Sequence, residues 1–157
     1  MRQRKTDGVR NENCNSVKEL KVELDLNIRF SDTDAMGVVW HGNYLRFFED
    51  AREAFGNRYA LNYLDVYNNG YFTPIVKSEI NHKSPLYYGN KVRAVATYIP
   101  SAAAKLIFEY EIINLTTNSI SATGKTIQVF LTAKERTLEL NKPSFFSAWE
   151  NKMKLNK

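Results

Sequence analysis

One stretch of this chain, residues 44–63, repeats its apolar side chains at helical spacing over the length of a domain, and nearly everything around it alternates with the period of a strand. Tyr44, Phe48, Ala51, Phe55 and Tyr59 recur at steps of three and four, flanked by Leu45, Phe47, Ala54 and Leu61. Arg46, Glu49, Asp50, Arg52 and Glu53 fill the remaining surface of the early turns. The run predicts a helix of about 30 Å. Its apolar stripe is wide, so the helix should lie cradled by a sheet.

Before it, Val22, Leu24, Leu26, Ile28 and Phe30 alternate with Glu23, Asp25, Asn27 and Arg29, the pattern of a half-buried strand. Asn68-Asn69-Gly70 marks a turn, and four strand-like segments follow it. The first runs from Phe72 to Lys83, with Pro74 and Pro85 suiting an edge or bulged strand. Val92, Ala94, Ala96 and Tyr98 mark the second, and Leu106, Phe108, Tyr110 and Ile112 the third. The last, Ala122 to Thr132, has Ile127, Val129 and Leu131 on one side and Gly124, Thr126 and Gln128 on the other. One strand, one long helix and then sequential hairpins imply an α+β domain, with an antiparallel sheet of about five strands wrapped around the helix.

At 157 residues and 18.1 kDa the chain reads as one domain. Residues 1–21 are polar and aperiodic, a tail outside the fold; 22–134 form the domain; 135–157 are an extension in which Phe145, Trp149 and Met153 share one face of a short amphipathic helix. Hydrophobic residues at 43% and charged ones at 25% exclude a disordered, collagen-like or coiled-coil chain. The net charge of +5 resides in the ends. Residues 1–21 and 134–157 each hold six Lys/Arg against three Asp/Glu, and the middle is nearly balanced, which argues against a nucleic-acid groove. Cys14 is the only cysteine, so the chain forms no internal disulfide and a reducing compartment is expected. His41 and His82 with one distant Cys give no metal spacing. No apolar run reaches the length of a membrane span, and the N-terminus lacks the apolar core of a signal peptide, so a cytoplasmic protein is expected.

Chemistry concentrates in the loop before the helix, where Asp32, Asp34, His41 and Asn43 fall close together. A helix N-terminus presents unpaired N–H groups and the positive end of its dipole. A carbonyl oxygen resting on those donors becomes more electrophilic, and a nearby carboxylate can attack it or activate water. The same residues also serve as ordinary turn and cap formers. No nucleophile elbow, phosphate-cradling loop or dinucleotide fingerprint occurs.

Asp34-Ala35-Met36-Gly37-Val38-Val39-Trp40-His41-Gly42-Asn43-Tyr44, followed by Leu45-Arg46-Phe47-Phe48-Glu49-Asp50-Ala51-Arg52, resembles the signature of the hot-dog-fold acyl-CoA thioesterases, in the group of 4-hydroxybenzoyl-CoA thioesterase and the YbgC-like enzymes. The resemblance runs from about Val22 to Lys134. It implies a hot-dog fold and hydrolysis of an acyl-CoA, or an acyl-carrier-protein thioester, to free acid and thiol. It implies Asp34 as nucleophile or general base and the helix start at His41 as oxyanion donor, with Trp40, Asn43 and Tyr44 as substrate-binding positions. It further implies a homodimer or homotetramer with the site between protomers, and no cofactor or metal, coenzyme A being part of the substrate. Lys83 to Asn90 resembles the family's strand-turn segment, with Asn90 where an acidic residue is often found, and Trp40 stands where Tyr is usual.

Glu49 and Asp50 suit the helix dipole, and His82 reads as a satisfied structural histidine. Lys77, Arg93, Lys105 and Lys125 are candidates for the coenzyme A phosphates. A hot-dog hydratase or dehydratase and a non-catalytic acyl-CoA-binding module are the alternatives.

Overall fold

The computed structural model describes residues 19–155; Cys14 and most of the expected tail lie outside them. Strand β1 (Lys21–Asn27) leads through a 3-10 turn at Phe30–Asp32 and a loop to helix α1 (Asn43–Tyr59). Helix α2 (Tyr63–Asn68) and strands β2 (Tyr71–Phe72), β3 (Ile75–His82), β4 (Lys91–Ile99), β5 (Lys105–Asn114), β6 (Ser119–Val129) and β7 (Leu131–Thr132) follow, and helix α3 (Ser144–Lys152) ends the fold.

Five strands form one antiparallel sheet in the order β1-β4-β5-β6-β3, and β2 pairs with β7 apart from it. Because β1 and β3 are opposite edges, the segment joining them has to cross the sheet. That segment contains α1, which packs over β1, β4 and β5. Phe47, Phe48, Ala51 and Phe55 are buried on the helix side, and Ala94, Ala96, Tyr98, Phe108 and Tyr110 on the sheet side. The small Ala94 and Ala96 let the helix approach the middle of the sheet, while aromatic rings fill the flanks. Phe48 stacks on Tyr110 at 4.4 Å between centroids, and Phe55 meets Phe108 edge-on at 5.0 Å. At Gly124 on β6 a Cβ would stand 2.3 Å from the Phe48 ring, so the close approach of helix and sheet requires glycine there.

The single helix expected over 44–63 is two. Ala60 takes the left-handed conformation at φ 55° and the chain turns back across Gly56, where a Cβ would come 2.7 Å from the Asn62 α-carbon. Asn62 then starts α2 with a reciprocal cap: its side chain accepts from Asp65 N–H at 2.9 Å, and the Asp65 carboxylate accepts from Asn62 N–H at 2.9 Å. Phe30 leaves the pattern of the first strand. The 3-10 turn rotates it outward to 78% exposure, while Ile28 stays buried.

The last expected strand is also interrupted, because Phe130 turns inward to full burial between β6 and β7. Of the two sides of β6, the polar one faces the helix: Thr126 and Gln128 are buried, whereas Ile127 and Val129 are only half-buried on the outer face. Helix α3 docks Phe146 and Trp149 into the core. Its buried Glu150 accepts from Lys142 Nζ at 2.7 Å and from the Tyr98 hydroxyl at 2.9 Å, and the Trp149 indole donates to the Tyr59 carbonyl at 2.7 Å. No helix among the described residues is long and apolar enough to cross a membrane.

Candidate active site

The loop from β1 to α1 is a tight hairpin tied down at three points. Thr33 bridges Val39, Asp34 N–H donates to the Val38 carbonyl at 2.9 Å, and Gly37 N–H donates to the Asp34 carbonyl at 2.9 Å, with Gly37 at φ 77° making the turn. Val39 N–H donates to Leu86 O at 2.8 Å, fastening the loop to the β3–β4 connection. There Asn90 closes a turn, its Oδ1 accepting from Tyr87 N–H at 2.8 Å and from Asn114 Nδ2 at 3.1 Å.

The two aspartates of this loop have different surroundings. Asp32 is buried, and its carboxylate accepts from the Arg46 guanidinium at 2.5 Å and from Arg29 N–H at 2.8 Å. Its main-chain carbonyl accepts from Trp40 N–H and from Asn43 Nδ2, both at 2.9 Å. Asp32 therefore holds the hairpin against the first turn of α1. Asp34 is half-buried; one carboxylate oxygen accepts from Met36 N–H at 2.8 Å, and the other has no hydrogen-bond partner among the described residues. Of the pair, only Asp34 has an oxygen free for chemistry.

At the helix start, Asn43 N–H closes a turn on the Trp40 carbonyl at 2.9 Å and Tyr44 N–H points to the His41 carbonyl at 3.4 Å. The N–H groups of His41 and Gly42 donate to no protein acceptor among the described residues. Two unpaired donors thus sit at the positive end of α1. The His41 imidazole is exposed and lies against the Trp40 ring at 5.1 Å, with no hydrogen bond to Asp34. The Trp40 ring covers Gly42 so closely that a Cβ there would fall 2.2 Å from it. Tyr44 is buried, and burial pushes its phenol up, opposed by the Leu86 backbone. His82, expected as a satisfied structural histidine, is exposed on edge strand β3 and meets the Tyr44 ring edge-on at 4.8 Å, and its imidazole makes no hydrogen bond among the described residues.

A cleft of about 790 Å³ opens along the flank of α1, between that helix, α2, the Thr73-Pro74 link and the inner side of β5 and β6. Asp34 and His41 are outside its lining. It begins at Glu49, seven residues beyond Gly42, hence about 10 Å along the helix axis. Glu49 is paired with Arg52. Of the expected phosphate contacts, Lys77, Arg93 and Lys125 pair with Glu79, Asp25 and Glu109. The strand register puts them, with Lys105, on the sheet face turned away from α1, so they do not converge on the loop. Among the described residues no three His, Cys, Asp or Glu side chains gather as a metal set.

Residues 28–150 match the thioesterase-like superfamily. The chain belongs to that superfamily. Within it, the sequence is 35% identical over 107 residues to the "Putative acyl-CoA thioesterase YneP" of Bacillus subtilis (strain 168), spanning 67% of this chain and 77% of that one. Among solved structures, the thioesterase-like fold superposes on a DHNA-CoA thioesterase from Staphylococcus aureus with a TM-score of 0.75 at 24% identity, covering 87% of this chain and 93% of that chain. A 4-hydroxybenzoyl CoA thioesterase superposes with a TM-score of 0.72 at 18% identity, covering 83% and 98%. These two neighbours establish the hot-dog architecture.

Two features of this region were missed from the sequence. The Asp32–Arg46 clamp joins residues fourteen positions apart, and the buried Gln128 in the cleft wall reaches Thr73, fifty-five positions away. Neither follows from a local motif.

Proposed function

We propose that the protein hydrolyses acyl-CoA thioesters, with Asp34 and the main-chain donors of His41 and Gly42 as its machinery. The observation that carries this reading is the unpartnered Asp34 oxygen on a hairpin clamped to a helix start that has two unpaired N–H groups. The relatives named above support the substrate class.

In this reading the thioester carbonyl oxygen accepts hydrogen bonds from His41 and Gly42, and negative charge that develops there on attack meets the positive end of α1. As a base, Asp34 takes a proton from water while the water oxygen bonds to the carbonyl carbon. The carbon–sulfur bond then breaks, and the departing thiolate takes up that proton. As a nucleophile, the Asp34 oxygen displaces the thiolate itself, giving a mixed anhydride that water opens. Both routes end in free acid and free thiol. Each uses only carboxylate, water and main-chain donors, so we propose no cofactor.

We also propose that the working form is at least a homodimer. Strand β3 is exposed on both faces and pairs with a neighbour on one side only, leaving an eight-residue edge with Ile75 and Val76 exposed, a template for a second copy. The lone cysteine supports a reducing, cytoplasmic setting. The test is a free-thiol release assay over short, long and aryl CoA esters. Saturable release from at least one class supports the proposal, whereas binding without release from every class contradicts it.

A further inference from the structure

The inner side of β6 is polar where α1 covers it, and that polarity is only partly satisfied. Thr126 shares a 2.8 Å hydrogen bond with the Tyr110 hydroxyl. Gln128, only 4% exposed, donates Nε2 to the Thr73 carbonyl at 2.5 Å and leaves Oε1 buried without a partner. Opposite, Arg52 gives one guanidinium nitrogen to Glu49 and leaves Nη1 buried without a partner. Both residues line the same cleft, whose other walls include Val66, Leu106, Phe108 and Leu131. An orphaned acceptor and an orphaned donor destabilise the fold, and a leucine at either position would avoid that cost. Their occurrence together in one cleft, beside the apolar Val66, Leu106, Phe108 and Leu131, points to a ligand that completes both.

A hydroxyl does so with a single atom, because it donates and accepts at once. Its position on a ligand follows from the helix. Glu49 and Arg52 lie seven and ten residues beyond Gly42, which at the helical rise is about 10–15 Å from the donors proposed for the thioester carbonyl. An extended hydrocarbon chain advances about 1.25 Å per carbon, so that span is roughly eight to twelve carbons. A hydroxyl on an aromatic ring next to the carbonyl falls short of it.

We infer that the cleft receives the tail of a long acyl chain carrying a hydroxyl about eight to twelve carbons from the thioester, the hydroxyl donating to Gln128 Oε1 and accepting from Arg52 Nη1. This deepens the thioesterase reading and rests on it. The cleft volume of about 790 Å³ has room for such a chain.

The experiment compares kcat/KM for ω-hydroxydodecanoyl-CoA and dodecanoyl-CoA in the full chain and in Gln128→Leu, with Gln128→Met as a second, more flexible replacement. The parent is expected to favour the hydroxylated ester about tenfold, and the preference to fall to about one in either variant. Equal values in the parent overturn the inference whether or not the variants fold, and so does a preference that survives both substitutions. If neither ester releases thiol, the thioesterase reading passes to the short and aryl esters and fails separately when they too release none. Calorimetry with the free ω-hydroxydodecanoate and dodecanoate then tests the cleft alone: about tenfold tighter binding of the hydroxy acid, lost in Gln128→Leu, sustains the inference, and equal affinities contradict it.

Discussion

The Asp32 carboxylate and the Arg46 guanidinium meet at 2.5 Å, and through that contact the hairpin bearing Asp34 is fixed to the first turn of α1. One side of the pair is buried and the other partly exposed. Its strength therefore falls between that of a surface ion pair and that of a buried one. Arg46→Met is expected to lower unfolding stability by about 2 kcal/mol in a denaturant titration. It is also expected to reduce kcat about tenfold or more, because the free carboxylate loses its fixed relation to the helix donors. Unchanged kcat in a folded variant would detach the clamp from the chemistry.

Trp40 and Gly42 form a second coupled pair. In Gly42→Ala the new methyl group must displace the Trp40 ring, and because that ring is half exposed the cost falls on the site more than on the fold. Thiol release is expected to drop severalfold with a small change in Tm. Adding Trp40→Ala is expected to recover part of the loss, a non-additivity that a double-mutant cycle reads directly. Additive losses would mean that the ring does not press on the helix start.

Alkaline instability follows from three buried phenols. Burial pushes Tyr110 up to about 12 from 10.0. Burial, followed by the Glu150 carboxylate, pushes Tyr98 upward, and burial raises Tyr44. Each phenol keeps its proton more firmly folded than unfolded, so the stabilisation is complete below the unfolded value near 10 and is lost as pH rises beyond it. Between about pH 10 and 12 the stability should fall by about 1.4 kcal/mol per pH unit for each of Tyr98 and Tyr110, with Tyr44 adding a loss in the same direction. Denaturant midpoints measured across that window test this, and Tyr110→Phe should lessen the slope. A midpoint that is flat to pH 12 would contradict it.

Lys142 supplies the charge partner of Glu150, which is buried beneath α3. Lys142→Met leaves that carboxylate with only the Tyr98 hydroxyl and is expected to cost about 3 kcal/mol by thermal or chemical denaturation. Lys142 and Glu150 contact each other, Phe146 and Tyr98 rather than the Asp34 loop, so kcat is expected near the parent value at temperatures where the variant stays folded. A loss under about 0.5 kcal/mol would show that Glu150 finds another partner.

The parts of the molecule that could be read from the sequence were those fixed locally. The helical period from Tyr44 to Tyr59 and the alternation in β1, β4 and β5 each reflect a face pressed on one core. The break after Tyr59 was also written locally, in the Asn62 and Asp65 cap, but the apolar spacing continuing to Leu61 masked it. The distinction between Asp32 and Asp34 was local only in part: both precede a turn, Arg29 three residues back holds one Asp32 oxygen, and the arrival of Arg46 from α1 occupies the other, while Asp34 keeps one oxygen open. Nor could the sequence decide which side of β6 faces inward. Its apolar side chains look like a core face, yet the inward residues are Thr126, whose hydroxyl is satisfied by Tyr110, and Gln128, which lies in the cleft wall.

The central claim is that the free oxygen of Asp34 acts on a thioester held at the start of α1. Its most direct measurement is single-turnover thiol release by Asp34→Ala, using the best ester of the parent, alongside the variant's Tm and oligomeric state. The account predicts a loss of about 10³-fold in rate with the fold and assembly retained, in the range typical of a lost general base or nucleophile. Release within a few fold of the parent would contradict it and leave Asp34 as the residue that closes a turn on Met36.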